Sequence, residues 1–316
     1  MSWGRLHHGV MLDLDSLHPA DLDLGRLKAA LPHWDWHLHT KPEQTAARIG
    51  AADVVVTNKV VLDAARLDAA PRLRLICVAA TGMNNIDLAA AEARGIAVRN
   101  VRNYASQSVA EHVFALILAL KRRLAEHRQA ALTRWPDHPD FCILDHPMTE
   151  LAGRRLGIVG YGDLGRAVAR IGEAFGMKVL KARRPGGRDD RPGRLPLDTL
   201  LERSDVVSLH CPLTEATRGL IGRRELRLMQ PHALLINTAR GGIVDEVALA
   251  QALREGVIAG AGVDVLSEEP PPRDNPLLAT DIPNLILTPH VAWASREARQ
   301  RLVDQVAANI EAFAAT

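Results

Sequence analysis

The chain has 316 residues, 47% apolar and 24% charged, and its 39 basic and 37 acidic side chains leave a formal charge of only +2. That balance excludes the hydrophobic-poor, charge-rich composition of a disordered chain, and without a long basic run it offers no platform for nucleic acid or a membrane surface. Single domains usually run about 100–200 residues, so two cores are expected.

The opening segment MSWGRLHHGVMLDL lacks a basic stretch followed by a long apolar core, and no run approaches the roughly 20 apolar residues of a membrane helix. Neither targeting nor anchoring is expected. Cys77, Cys142 and Cys211 form no CxxC pair and no even framework, which argues against a disulfide scaffold or zinc ribbon and fits a reducing cytoplasm. Strand candidates GVMLDL, HWDWHLH, ADVVVTN, LRLICVAA and IAVRNV then alternate with helical stretches such as DLGRLKAALP and DLAAAEARG. This is the pattern of a parallel sheet covered by helices. His33, His37 and His39 alternate with Trp34, Trp36 and Leu38 as along a strand, and no Cys or carboxylate completes a tetrahedral set, so no metal is expected. Lys59, ending ADVVVTN, is within reach of a substrate carboxylate in one reading, but reads first as a solvated loop lysine.

A long helix over 108–123 carries an apolar stripe through Val109, Val113, Leu116, Ile117 and Leu120, and a polar stretch with Trp and Pro runs on to Glu150, where the domain crossing is placed. RRLGIVG, MKVLKARR, DVVSLH, ALLINTA, GAGVDVL and NLILTPH predict a second sheet, and a final helix over 295–314 is free to pack back on the first domain. The expected architecture is α/β, two doubly wound parallel-sheet domains, with residues 1–103 and 289–316 in one and 104–288 in the other. No repeat of 20–50 residues is present.

The strongest local signal is Gly160-Tyr161-Gly162-Asp163-Leu164-Gly165, which follows an apolar strand and opens a helix. Glycine permits the tight turn, lets backbone N–H groups approach a pyrophosphate and allows close helix packing, while the helix N-terminus favours negative charge. Dinucleotide binding follows, through Gly160, Gly162 and Gly165. NAD-binding folds usually end the next strand with an acidic residue for the ribose hydroxyls. Here Met177-Lys178-Val179-Leu180-Lys181-Ala182 ends in Arg183-Arg184, and an arginine fork suits a 2′-phosphate. The reading favours NADP(H); with two solvated arginines beside a PGGRDDRPGR loop instead, NAD(H) is the alternative.

Three further segments fall at successive strand ends: Asn237-Thr238-Ala239-Arg240-Gly241-Gly242; Gly262-Val263-Asp264 with Ser267-Glu268-Glu269-Pro270-Pro271; and Thr288-Pro289-His290. The carboxyl ends of strands face the ligand crevice in open α/β sheets, so Arg240, Glu269 and His290 can converge on one substrate. Arginine binds carboxylate or carbonyl oxygen, histidine transfers the hydroxyl proton, and a nearby carboxylate orients the ring. Trp293 either walls the substrate pocket or packs in the core.

NTARGGIVDE, GAGVDVLSEEPP and LTPHVAW, with GIVGYGDLG and LHCPLTEATRGLI, resemble the D-isomer-specific 2-hydroxyacid dehydrogenases over nearly the whole chain, and TGMNNIDLAAAEARGIAVRN with YASQSVAEH is most similar to their hydroxypyruvate reductase or glycerate dehydrogenase branch. The resemblance implies a flavodoxin-like substrate domain, a Rossmann NAD(P)-binding domain and a cleft between them, with reduction of hydroxypyruvate or glyoxylate to D-glycerate or glycolate. It implies catalysis by Arg240, Glu269 and His290. It adds cofactor contacts from Asp163, Leu164, Cys211, Thr238, Ala239 and Asp264, substrate-carboxylate contacts from the backbone of Thr81 and Gly82, and a homodimer assembled through the long helix and the Trp135 segment. Another small D-2-hydroxy acid is an alternative substrate, and a dinucleotide-sensing, corepressor-like binding protein is the alternative from another class.

Overall fold

The structure, a computed structural model, describes residues 6–186 and 191–316; the first residues of the N-terminal segment and the middle of PGGRDDRPGR lie outside the described residues. The chain divides into two compact units, Met1–Ala105 with Ala294–Thr316, and Ser106–Trp293, which places the TPH segment in the second.

In the first unit the chain runs β1 (His8–Met11), α1 (Gly25–Ala29), β2 (His33–Trp36), α2 (Pro42–Ile49), β3 (Val54–Thr57), α3 (Ala64–Asp68), β4 (Leu75–Val78), α4 (Leu88–Ala93) and β5 (Ala97–Asn100). All strand pairs are parallel and the order is β2-β1-β3-β4-β5, the flavodoxin-like arrangement. The central strands β3 and β4 are buried along their whole length, as strands covered on both faces must be, whereas β2 lies at the edge and its HWDW alternates between exposed and half-buried.

The second unit continues with α5 (Ser106–Lys121), α6 (Leu124–Thr133), β6 (Arg155–Val159), α7 (Asp163–Ala174), β7 (Lys178–Ala182), β8 (Arg194–Leu195), α8 (Leu197–Arg203), β9 (Val206–Leu209), α9 (Arg223–Leu228), β10 (Leu234–Asn237), α10 (Glu246–Arg254), β11 (Gly260–Val263) and β12 (Leu285–Leu287). Its sheet is again parallel, in the order β12-β11-β10-β9-β6-β7-β8. Chain order reverses between β6 and β9, which is where such sheets bind ligands. Two elements escape the sequence pattern. The helix α6 occupies part of the stretch read as merely polar and buries only Ala130, while β8 is two residues long.

The last helix, α11 (Arg296–Ala314), belongs to the first unit. It is held there by Arg299, which is 7% exposed and donates to both Asp21 carboxylate oxygens at 2.7 Å and to the Leu17 and His18 carbonyls. Among the described residues no helix is long and apolar enough to cross a membrane.

Candidate active site

The glycine turn sits at the switch between β6 and β9. Gly160 has φ +95°, and a Cβ there would lie 2.5 Å from the Cys211 nitrogen and the His210 carbonyl carbon, so only glycine lets the turn rest on the end of β9. Gly162 precedes α7 with no side-chain cap, and a Cβ built on it meets nothing within 4 Å. The first amides of α7 therefore adjoin open space, as a pyrophosphate requires. Leu164 is half-buried, Gly165 lies against the Gly160 carbonyl, and Asp163 pairs with Arg166 one turn along. Replacing Gly160 with Ala should weaken dinucleotide binding about tenfold or more, because the strain and displacement cost about 1–3 kcal/mol. Calorimetric titration with the reduced dinucleotide checks this; affinity within about twofold of the wild type would show that the close approach is dispensable.

Under the turn, His210 contacts the Ser208 hydroxyl through Nε2 at 2.8 Å, and its buried Nδ1 has no partner among the described residues. Burial pushes its pKa down to about 4, so the ring is neutral at physiological pH. Burial likewise pushes the Cys211 thiol up to about 11. Thr238 is 7% exposed with a buried hydroxyl that has no partner among the described residues, and Ala239 beside it is buried. A glycine cradle, an open helix N-terminus and an orphaned hydroxyl fit a bound dinucleotide. Arg183 and Arg184 are exposed beyond β7, and the Tyr161 ring lies under the Lys181 ammonium at 4.6 Å and the Arg194 guanidinium at 5.0 Å. The rim is basic.

The adjacent strands β10, β11 and β12 deliver Arg240, Glu269 and His290 from their carboxyl ends. Asn237 shapes the first loop, accepting from the Ala239 N–H and donating to the Arg240 carbonyl, both at 3.1 Å. Gly241 packs so closely that a Cβ would lie 1.9 Å from the Leu266 carbonyl oxygen, which brings the ARGG backbone against the loop carrying Glu269. Arg240 is exposed; its guanidinium donates to the Ala239 carbonyl at 2.7 Å and has no carboxylate partner among the described residues. Glu269 accepts the Leu266 N–H through Oε1 at 2.9 Å and meets His290 Nδ1 through Oε2 at 2.6 Å. With Nδ1 committed to a carboxylate, Nε2 is left for chemistry, and the ring is 27% exposed.

His290 has φ +55°, a conformation that costs a non-glycine residue about 1–3 kcal/mol and so needs support. The Asp264 carbonyl accepts the His290 N–H at 2.8 Å. The Asp264 carboxylate, 1% exposed, accepts from the Thr288 hydroxyl at 2.5 Å and from the Val291 and Ala292 N–H groups at 2.9 Å. Trp293 is half-buried and donates its indole N–H to the His290 carbonyl at 2.9 Å. Ser108 and His112, one turn apart on α5, reach the same loop at Ala292 and Thr288. Sequence reasoning overlooked this bracing, although two polar groups on a largely buried helix imply buried partners. Thr81 and Gly82 lie in the first unit, with the Thr81 hydroxyl donating to the Val101 carbonyl at 3.1 Å. Among the described residues no group of three or more His, Cys, Asp or Glu is arranged to hold a metal ion.

A profile of the D-isomer specific 2-hydroxyacid dehydrogenase NAD binding domain matches residues 114–292. The chain is 48% identical to a glycerate dehydrogenase of Methylorubrum extorquens over 97% of its length and 96% of that protein's. It is 38% identical to a hydroxypyruvate reductase of Blautia hydrogenotrophica, with 96% of each chain covered. Among solved structures it resembles an NADPH-dependent glyoxylate/hydroxypyruvate reductase from Sinorhizobium meliloti, in complex with NADP and malonate, with a TM-score of 0.80, 29% identity and coverage of 97% and 93% of the two chains.

Proposed function

This chain belongs to the D-isomer-specific 2-hydroxyacid dehydrogenases, oxidoreductases that use a nicotinamide dinucleotide, and from that premise we propose that it reduces hydroxypyruvate and glyoxylate with His290 as proton donor. The observation that carries the reading is the 2.6 Å His290–Glu269 pair, which occupies Nδ1 and leaves Nε2 with no partner among the described residues, on a side chain 27% exposed. The bound dinucleotide supplies the hydride. His290 delivers the Nε2 proton to the carbonyl oxygen as that oxygen gains charge, and recovers one from the hydroxyl in the reverse direction. Glu269 holds the ring by Nδ1–H, and Arg240 binds and polarises the 2-oxo acid with a guanidinium that no acid among the described residues occupies. We assign the dinucleotide to the seven-stranded unit and recognition of the substrate carboxylate by Thr81 and Gly82 to the five-stranded one.

The basic rim beyond β7 favours NADP(H), with Arg183 and Arg184 set to meet a 2′-phosphate. Arg183→Asp should move the ratio of kcat/KM values from NADPH towards NADH by about 10- to 100-fold, the worth of one charge-assisted hydrogen bond and its reversal. A wild type that prefers NADH sinks the assignment. Leu132, Trp135, Phe141 and Leu144 are 53–89% exposed along one segment, an apolar run that a second copy of the chain would cover in a homodimer; light scattering reads the mass. The deciding assay is the initial rate of dinucleotide oxidation with hydroxypyruvate, glyoxylate, pyruvate and 2-oxoglutarate. Turnover of the first two supports the reading, whereas tight dinucleotide binding without turnover of any acid moves it to a dinucleotide sensor.

A further inference from the structure

We propose that Ser108 and His112 are positioning residues: from α5 they clamp both ends of the loop that presents His290. This rests on His290 being the proton donor. The Ser108 hydroxyl, 8% exposed, donates to the Ala292 carbonyl at 2.7 Å, just past the histidine. His112 Nε2 lies 3.1 Å from the Thr288 hydroxyl, just before it.

The direction of the second contact follows from counting hydrogens. Thr288 has one hydroxyl hydrogen, and the Asp264 carboxylate at 2.5 Å, already receiving the Val291 and Ala292 N–H groups, takes it. The Thr288 oxygen can then only accept, so His112 carries a hydrogen on Nε2 and donates it. A chain of donors runs from His112 through Thr288 to Asp264, whose two oxygens fix the backbone after His290. The Asp264 carboxylate favours a hydrogen on that nitrogen, since His112 Nε2 is 3.6 Å from Asp264 Oδ1.

The clamp matters because the loop is held in a conformation it would not choose. His290 is one of four described non-glycine residues in the left-handed region, and its ring must meet the substrate oxygen within a narrow distance. Anchoring to α5, a 16-residue helix with Val109, Val113, Leu116 and Ile117 buried, ties that geometry to a rigid element. Misplacement of a catalytic group by about 1 Å can cost about 10²-fold in rate.

The test compares Ser108→Ala, His112→Leu and the double variant with His112→Gln, which restores an N–H donor. We expect kcat to fall about 10-fold in Ser108→Ala and in His112→Leu and about 10²-fold in the double, with KM and dinucleotide affinity within about twofold. Amide hydrogen exchange at Val291 and Ala292 should quicken, and His112→Gln should recover most of kcat. Unchanged kcat and exchange overturn the clamp. So does a loss that His112→Gln fails to rescue and that dinucleotide affinity shares, because that is general destabilisation. His290→Gln measured alongside separates the two layers: full activity there removes the catalytic premise and this inference with it, whereas an inactive His290→Gln beside fully active Ser108→Ala and His112→Leu removes the clamp alone.

Discussion

Replacing His290 with Gln should lower kcat about 10³-fold while leaving dinucleotide affinity within about twofold. The size follows from what is lost. Gln is polar and of similar length, so it can sit in the same loop and still contact the substrate oxygen, but its amide is far too weak an acid to surrender a proton, and a positioned acid or base contributes about 10²–10⁴-fold. A loss of 10³ corresponds to about 4 kcal/mol of transition-state stabilisation. KM should move little, because binding of the 2-oxo acid is assigned to Arg240, and the glycine turn and Thr238 lie on other loops. Stopped-flow oxidation of the reduced dinucleotide, in single turnover with saturating hydroxypyruvate, isolates the chemical step. A rate equal to the wild type would remove His290 from the reaction.

The parts of this site that were legible in the sequence are those whose chemistry is local. GYGDLG needs its glycines because of one turn and the end of one neighbouring strand, and Gly160 with φ +95° is where that need is sharpest. Arg240, Glu269 and His290 could be placed at strand ends because alternation of strands and helices already implies a parallel sheet, and a parallel sheet puts its strand ends on one rim. Bracing of the loop was not legible. Ser108 and Ala292 are 184 residues apart and His112 and Thr288 are 176 apart, so nothing in either neighbourhood points to the other. Asp264 shows the same limit: its buried carboxylate accepts from three donors of the loop that carries His290, partners 24 to 28 residues away that no local pattern names. The helix α6 went unseen because it buries little and has no apolar stripe to announce it.

Arg240→Ala should cost substrate recognition without costing the fold. Where a cation is paired with an acid, removing it strands that acid. Here the guanidinium makes one bond, to its neighbour's carbonyl, and has no carboxylate partner among the described residues, so its removal leaves no unpaired charge behind. Thermal stability should therefore stay close to that of the wild type, while the substrate loses a charge-assisted pair worth about 1.5–3 kcal/mol per hydrogen bond. For a two-pronged contact this is a fall in kcat/KM of about 10²–10⁴-fold, much of it in KM. Arg240→Lys keeps the charge and loses the fork, so it should fall between. Free guanidinium added to Arg240→Ala should restore part of the rate in a saturable way, because the loop shaped by Asn237 and Gly241 remains in place to receive it. Wild-type kcat/KM in the alanine variant would release Arg240 from the substrate, and lost stability with no rescue would make it a structural residue instead.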